Sequence, residues 1–316
     1  MTTPTSTTLM PTMTSQNKTA YSILVVIACV MGIAGLFGFS HMKSGPRTPD
    51  TTPVVATTTP DAPVFPTVSL EARAAYVYDV RTGEMLFSKN GDTMLPLASL
   101  TKILTALVAT RDIPSNKDVT ISQTALNTEG DSGLVVNEVW DISELASFML
   151  VVSSNDASTA LRETYEAQTG GSFIAAMNSH AKKIGLSARF VNEHGLDMGY
   201  GRESNSGSAH DIALLLANAL YEAPSLFDAT RSDSTTFVSK SGTKHVAENT
   251  NDLINDIPWA LGAKTGFTDA AGGNLAVAFD RSVGHPIIVV VMGSSREGRF
   301  SDMEKLISAT LETIKE

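Results

Sequence analysis

A single cysteine, Cys29, stands in 316 residues, so no disulfide can form within the chain. It sits in an apolar run and offers no thiol chemistry to a folded body. Basic residues are the next scarcity. Lysine and arginine number 23 against 33 aspartates and glutamates, a formal net charge of −10. A surface that tracks phosphates needs the opposite balance, so no nucleic acid is expected as a partner. The 6 histidines form neither H-x-x-x-H nor H-E-x-x-H spacing, and no metal site is expected from them. His194 and His210 are therefore read as structural, and Trp259 as a packing residue. With 42% hydrophobic and 18% charged positions the composition is that of a globular chain. Long apolar stretches are absent, with one exception.

That exception is Ile23 to Phe39, 17 consecutive apolar or glycine residues within a segment that carries no formal charge from Lys18 to Lys43. At 1.5 Å per residue, about 20 residues cross the ~30 Å hydrocarbon core of a bilayer. Residues 20–40 are expected to form a transmembrane anchor behind a disordered tail at 1–19. A cleaved signal peptide would end its apolar region sooner, at a small-x-small site, whereas this run ends in Gly-Phe-Ser-His. Val26-Ile27-Ala28-Cys29 has the form of a lipoprotein cleavage box, but apolar residues continue well past Cys29. Lys18 precedes the run while Lys43 and Arg47 follow it, so the positive-inside bias assigns no orientation. Residues 41–67, rich in proline and threonine, read as an extended linker. Residues 68–316 read as one domain.

Within that domain, alternation in Ala74 to Val80 and Glu84 to Lys89 around Arg81-Thr82-Gly83 predicts a hairpin. Leu100, Ile103, Leu104, Leu107 and Val108 recur at helical spacing and predict a core-facing stripe. Further helices are signalled by Ser143, by Asn155 or Asp156, by Ser172 with Gly185 as its stop, and by Ser208-x-x-Asp211. Near the end, Leu261 to Thr268, Asn274 to Asp280 and Pro286 to Gly293 predict three consecutive strands. Ser301-x-x-Glu304 predicts a capping box for a last helix with Met303, Leu306, Ile307, Leu311 and Ile314 on one side. Strands, many helices, strands and a helix give a mixed α/β (α+β) fold: a central antiparallel sheet flanked by helices, plus a helical subdomain.

Three short motifs carry the chemistry. Ser99-Leu100-Thr101-Lys102 opens the striped helix and places a hydroxyl and an amine one turn apart. If burial keeps that amine neutral near pH 7, it can take the serine proton and make a nucleophile without histidine. Two decoys, Ser40 to Lys43 and Ser241 to Lys244, lie at the end of the apolar run and in a hairpin turn. Ser153-Ser154-Asn155 falls between two predicted helices. Lys264-Thr265-Gly266 lies on a strand whose glycines allow close backbone approach, unlike the copy at Lys240-Ser241-Gly242.

The ordered set, with the stretches at 96–106, 153–157, 190–197 and 262–275, resembles the penicillin-binding D-alanyl-D-alanine carboxypeptidases, which trim bacterial peptidoglycan stem peptides. The resemblance covers residues 70–314 and implies a β-lactamase/transpeptidase-like fold. It implies Ser99 as nucleophile, Lys102 as general base and Ser153 as proton relay. Asn155 would hold the substrate amide, and Lys264 would supply positive potential. The backbone N–H groups of Ser99 and Phe267 would form an oxyanion hole beside Gly266. Thr265 and Arg299 would receive the substrate's terminal carboxylate. Arg296 is read as a surface residue, and the loop from Asn127 to Val136 as a border of the cleft. No cofactor is implied. The expected partners are a peptidoglycan stem peptide, β-lactams as covalent inhibitors, and the membrane, with the domain on the extracytoplasmic side of a bacterial cytoplasmic membrane.

Two departures stand out: Ser154 occupies a position where glycine is frequent, and no carboxy-terminal β-domain is expected. Short relatives of this kind include D,D-endopeptidases, which makes cross-link cleavage the alternative. A serine β-lactamase would need a deacylating glutamate, and no E-x-x-L-N follows Asn155. A non-catalytic wall-binding protein is the remaining alternative.

Overall fold

The computed structural model describes residues 65–197 and 204–314. The predicted tail, membrane anchor and nearly all of the linker lie outside the described residues. Among the described residues no helix is long and apolar enough to cross a membrane.

Five antiparallel strands form the main sheet in the order β2-β1-β11-β10-β9. They are β1 (Ala74–Asp79), β2 (Glu84–Lys89), β9 (Ala260–Thr268), β10 (Gly272–Asp280) and β11 (Pro286–Ser294); the strands between, β3 (Leu95–Pro96), β4 (Asp118–Thr120), β5 (Val139–Asp141), β6 (Ser206–Gly207), β7 (Ser234–Val238) and β8 (Lys244–Glu248), form two-stranded pairs outside it. The amino-terminal hairpin and the three carboxy-terminal strands thus share one sheet, joined through β1 and β11. Alternation along the inner strands sends side chains to two cores. Ala276, Ala278, Ile288, Val290 and Met292 face a helical lobe. Leu275, Val277, Phe279, Val289 and Val291 face the last helix, α7 (Gly298–Thr313), which covers them with Phe300, Met303, Leu306 and Ile307. β9 is left at the sheet edge.

The helical lobe is built around α1 (Thr101–Asp112). The predicted stripe is buried, but so are Thr101, Lys102, Thr105, Ala106 and Ala109, on the helix's other sides. Enclosure all round from Thr101 to Ala109 leaves Lys102 without water. The enclosing helices are α3 (Ile142–Val152), α4 (Asn155–Thr169), α5 (Phe173–Lys183) and α6 (Ala209–Glu222), each with contacts to α1, while the short α2 (Gln123–Leu126) packs on α4. Ser208 and Asp211 form the predicted capping box on α6, and Ser172 caps α5.

Several expectations need correction. Asp141 rather than Ser143 caps α3, its carboxylate accepting from the N–H groups of Ser143 and Glu144. Ser154 caps α4, so Asn155 is its first residue. The last helix begins at Gly298, one turn before the predicted box, and the Ser301 hydroxyl donates to the Gly298 carbonyl inside it. Leu311 is 38% exposed and lies off the buried side. Trp259 is not a packing residue: it is 69% exposed, at a left-handed φ of 47° just before β9.

Candidate active site

The nucleophile candidate sits on a strained turn. Ala98–Leu100 form a short 3₁₀ turn leading into α1, and Ala98 has a φ of 47°. This left-handed backbone is uncommon for a residue with a side chain and recurs at functional sites. Packing holds the turn from behind. A Cβ on Gly195, itself at φ 86°, would come within 2.0 Å of the Ala98 carbonyl oxygen. The Asn274 amide donates to the carbonyls of Pro96 and Leu97 at 3.1 Å.

Lys102 follows one turn later, wholly buried. Its Nζ lies 3.0 Å from Ser99 Oγ, 2.7 Å from Asn155 Oδ1 and 2.6 Å from the His194 carbonyl oxygen. Burial pushes its pKa from 10.5 down to about 7, while the carboxylates of Glu193 and Asp156 pull it back toward the charged form. A neutral amine fits this cage. It donates two hydrogens to the two shorter acceptors and keeps a lone pair for the Ser99 O–H, the longest contact. Glu193 is in turn held by Thr159 and Arg162.

A second pair closes the opposite side. Ser153 ends α3 in a left-handed conformation, φ 63°, which turns the chain sharply into α4. Its Oγ accepts from Lys264 Nζ at 2.9 Å. Lys264 also donates to the Thr265 carbonyl and is 1% exposed; burial and the neighbouring Lys102 and Arg299 drive its pKa well below the usual lysine value. Asn155 is engaged at both ends, accepting from Lys102 and donating Nδ2 to the Glu129 carbonyl at 2.7 Å. The loop around Gly130 does therefore border the cleft.

β9 passes directly against the nucleophile turn. A Cβ on Gly266 would lie 3.1 Å from the Ser99 nitrogen and 3.2 Å from the Leu97 carbonyl oxygen, so glycine is what permits this approach. Arg299, in the first turn of α7, donates to the Gly266 carbonyl at 3.1 Å, and its buried Nε has no partner. Burial, and the nearby Arg296, lower its pKa. The Thr265 hydroxyl pairs with that of Thr250 at 2.6 Å. Phe267 is half-buried at the mouth.

The structure therefore brings Ser99, Lys102 and Asn155 into one hydrogen-bonded group, Ser153 and Lys264 into another, and Arg299 onto Gly266 of the same strand as Lys264. Sequence reasoning missed Thr250, Glu193 and the His194 carbonyl. A backbone oxygen leaves no residue-type signal. Arg296, read as a surface residue, is exposed but lies over the Phe267 ring, 3.8 Å from its centroid. The decoy Lys240 is paired with Asp118 on the surface, away from this group.

A serine hydrogen-bonded to a buried lysine whose pKa is lowered to about 7, beside the edge strand of a sheet, is the arrangement of a serine peptidase working by acyl transfer. Comparison with known proteins agrees. The family model for D-alanyl-D-alanine carboxypeptidase matches residues 56–296. The D-alanyl-D-alanine endopeptidase of Escherichia coli is 30% identical, with 86% of both chains covered. The carboxypeptidase DacC of the same organism is 31% identical over 76% of this chain, which spans only 61% of DacC. Among solved structures, penicillin-binding protein D2 of Listeria monocytogenes, in its ampicillin-bound form, is 31% identical. It matches with a TM-score of 0.63 over 77% of this chain and 98% of its own. The chain belongs to the D-alanyl-D-alanine carboxypeptidase family of serine peptidases.

Proposed function

We propose that this chain is a membrane-anchored serine carboxypeptidase that removes the terminal D-alanine from peptidoglycan stem peptides. One observation carries the reading: Lys102 Nζ, buried and shifted to about 7, stands 3.0 Å from Ser99 Oγ. In the first step Ser99 Oγ bonds to the carbonyl carbon of the penultimate D-alanine, and its proton passes to Lys102. The amide C–N bond breaks as Ser153 relays a proton to the leaving nitrogen, and free D-alanine departs. Water then attacks the ester, Lys102 accepts its proton, and Ser99 is restored. The N–H groups of Ser99 and Phe267 stabilise the oxyanion in both steps, an effect worth about 3–4 kcal/mol per donor in other hydrolases.

Asn155 holds the substrate amide, for which its Nδ2 must leave the Glu129 carbonyl. Lys264 donates to Ser153 Oγ and in its protonated form supplies positive potential. Thr265 and Arg299 take the terminal carboxylate. Cross-link cleavage is the second reading, favoured because an endopeptidase and a carboxypeptidase match at nearly the same identity. The purified full chain in detergent is expected to release D-alanine from a stem pentapeptide faster than it cleaves a cross-linked muropeptide; the reverse order assigns it to the endopeptidases. Residues 20–40 are the anchor in this reading, with the catalytic body outside the cytoplasmic membrane. Protease added to intact spheroplasts should digest the body, and its protection there would reverse the assigned topology.

A further inference from the structure

The shortest contact of Lys102 Nζ is with a backbone oxygen, the His194 carbonyl at 2.6 Å, and that oxygen belongs to a segment, 192–195, with no part in the bond changes. Three side chains of α1 hold it. The Thr101 hydroxyl does so through Asn205, whose Nδ2 donates to it at 2.9 Å and to the Asn192 carbonyl at 3.0 Å. Lys102 takes the His194 carbonyl. Thr105, wholly buried, donates its hydroxyl to the Glu193 carbonyl at 2.6 Å. A threonine within a helix ordinarily returns its hydroxyl to the carbonyl four residues back. Thr110, Thr164, Thr310 and Thr313 do so, at 2.8, 2.9, 2.6 and 2.7 Å. Thr105 keeps only a 3.4 Å contact of that kind and gives its hydrogen to another segment. The successive carbonyls of Glu193 and His194 are thus held by side chains three positions apart, which lie on the same side of the helix. The segment is also closed from within: Asn192 Oδ1 accepts from the Gly195 N–H at 2.7 Å, and its Nδ2 donates to the Leu196 carbonyl at 3.1 Å.

We propose that Thr105 is a positioning residue for acylation: by holding the Glu193 carbonyl it aims the next carbonyl, that of His194, at Lys102 Nζ, and so orients the lone pair that the amine presents to Ser99. The proposal rests on the serine peptidase reading and adds a residue that acts through the base. Its loss has two consequences, each of definite sign. A carbonyl oxygen bonds an ammonium N–H about twice as strongly as a neutral one, so removing this acceptor favours the neutral amine and lowers its pKa. The freed amine also turns among its remaining partners and faces the Ser99 hydroxyl less often, so the rate falls even where the amine is neutral. The charged and titratable groups around Lys102 are Glu193 and His194 on this segment, Asp156 of α4 and Lys264 of β9, with Arg162 against Glu193 and Arg299 beyond Lys264. Burial pushes the His194 ring down to about 4, so it stays neutral where Lys102 titrates. The Thr105 hydroxyl bonds to none of these side chains.

The test is the pH profile of acylation by benzylpenicillin, measured on the full-length wild type, Thr105→Val and Thr105→Ser. The valine variant keeps the shape and loses the hydroxyl. It should lower the plateau rate about tenfold and move the midpoint of the profile, about 7 in the wild type, down by roughly half a unit or more. The serine variant keeps the hydroxyl and should restore both. A packing role alone would lower the melting temperature and leave the midpoint in place, because the midpoint reports only on folded molecules. If the valine variant does not fold, Thr105→Ala removes the same hydroxyl and is read in the same way. An unmoved midpoint without the hydroxyl, or a serine variant that behaves like the valine one, overturns the positioning role and leaves the peptidase reading intact. A wild type that benzylpenicillin does not acylate overturns both.

Discussion

Lys102 is the residue on which the chemistry turns, and its burial has a thermodynamic consequence with a definite sign. Its folded pKa of about 7 lies below the usual lysine value of 10.5. Between those values the unfolded chain holds a proton that the folded chain lacks, so stability rises with pH across that window. The cost of burying the group is full below about pH 7 and vanishes above about pH 10.5. Lys102→Met keeps the length and removes the charge. Thermal melts should show the variant more stable near neutrality, by up to on the order of 4 kcal/mol, with the gap closing by about pH 10. A gap that is constant with pH would mean that Lys102 is charged in the fold. In the sequence, Ser99, Lys102, Ser153, Asn155 and Lys264 were each legible by motif and order. What tunes Lys102 was not, because Glu193 and the His194 carbonyl reach it across 91 and 92 positions of chain through backbone and field rather than through a motif.

Among the elements, β9 does most to shape the cleft, since it runs Lys264 to Phe267 alongside the nucleophile turn, which Gly266 touches. Gly266→Ala must move the strand or the turn by a few tenths of an ångström. Acylation by a β-lactam should slow at least tenfold while the melting temperature shifts by only a few degrees; unchanged acylation would show the contact to be slack. Elements with strong periodicity were readable: the first hairpin, the last three strands and the capping box of Ser208 and Asp211. Helix starts were less so where two capping residues compete. Asp141 and Ser143 lie two positions apart, and the carboxylate, which accepts two N–H groups and suits the helix dipole, wins. At α7 the glycine at 298 is admitted because it packs against Glu71 and Ser295, where a Cβ would clash. Trp259 misled because an aromatic next to a strand usually packs, whereas here a left-handed residue turns it outward.

At the scale of the whole molecule, the body closes on itself through one buried carboxylate. Asp302 of α7 accepts from the N–H groups of Glu71 and Ala72, about 230 positions earlier, and from the Ser294 hydroxyl. Asp302→Ala leaves those donors buried, and should cost roughly 2–4 kcal/mol in chemical denaturation. A loss below about 0.5 kcal/mol would mean that the ends are held by apolar packing alone. The two-sided sheet was foreseeable from strand order, but the enclosure of α1 on every side was not: an amphipathic pattern gives one buried face, and only the tertiary arrangement buries Lys102 as well. In the proposed mechanism that enclosure converts a serine and a lysine one turn apart into a nucleophile and its base. The most direct test is the rate at which benzylpenicillin acylates the protein, with the adduct located by peptide mapping. The modified residue should be Ser99, the rate should rise through an apparent pKa near 7, and Lys102→Ala should lower it by a hundredfold or more, about what a positioned general base contributes. An adduct on another residue, or a Lys102→Ala variant acylated as fast as wild type, would contradict the assignment of the amine as base.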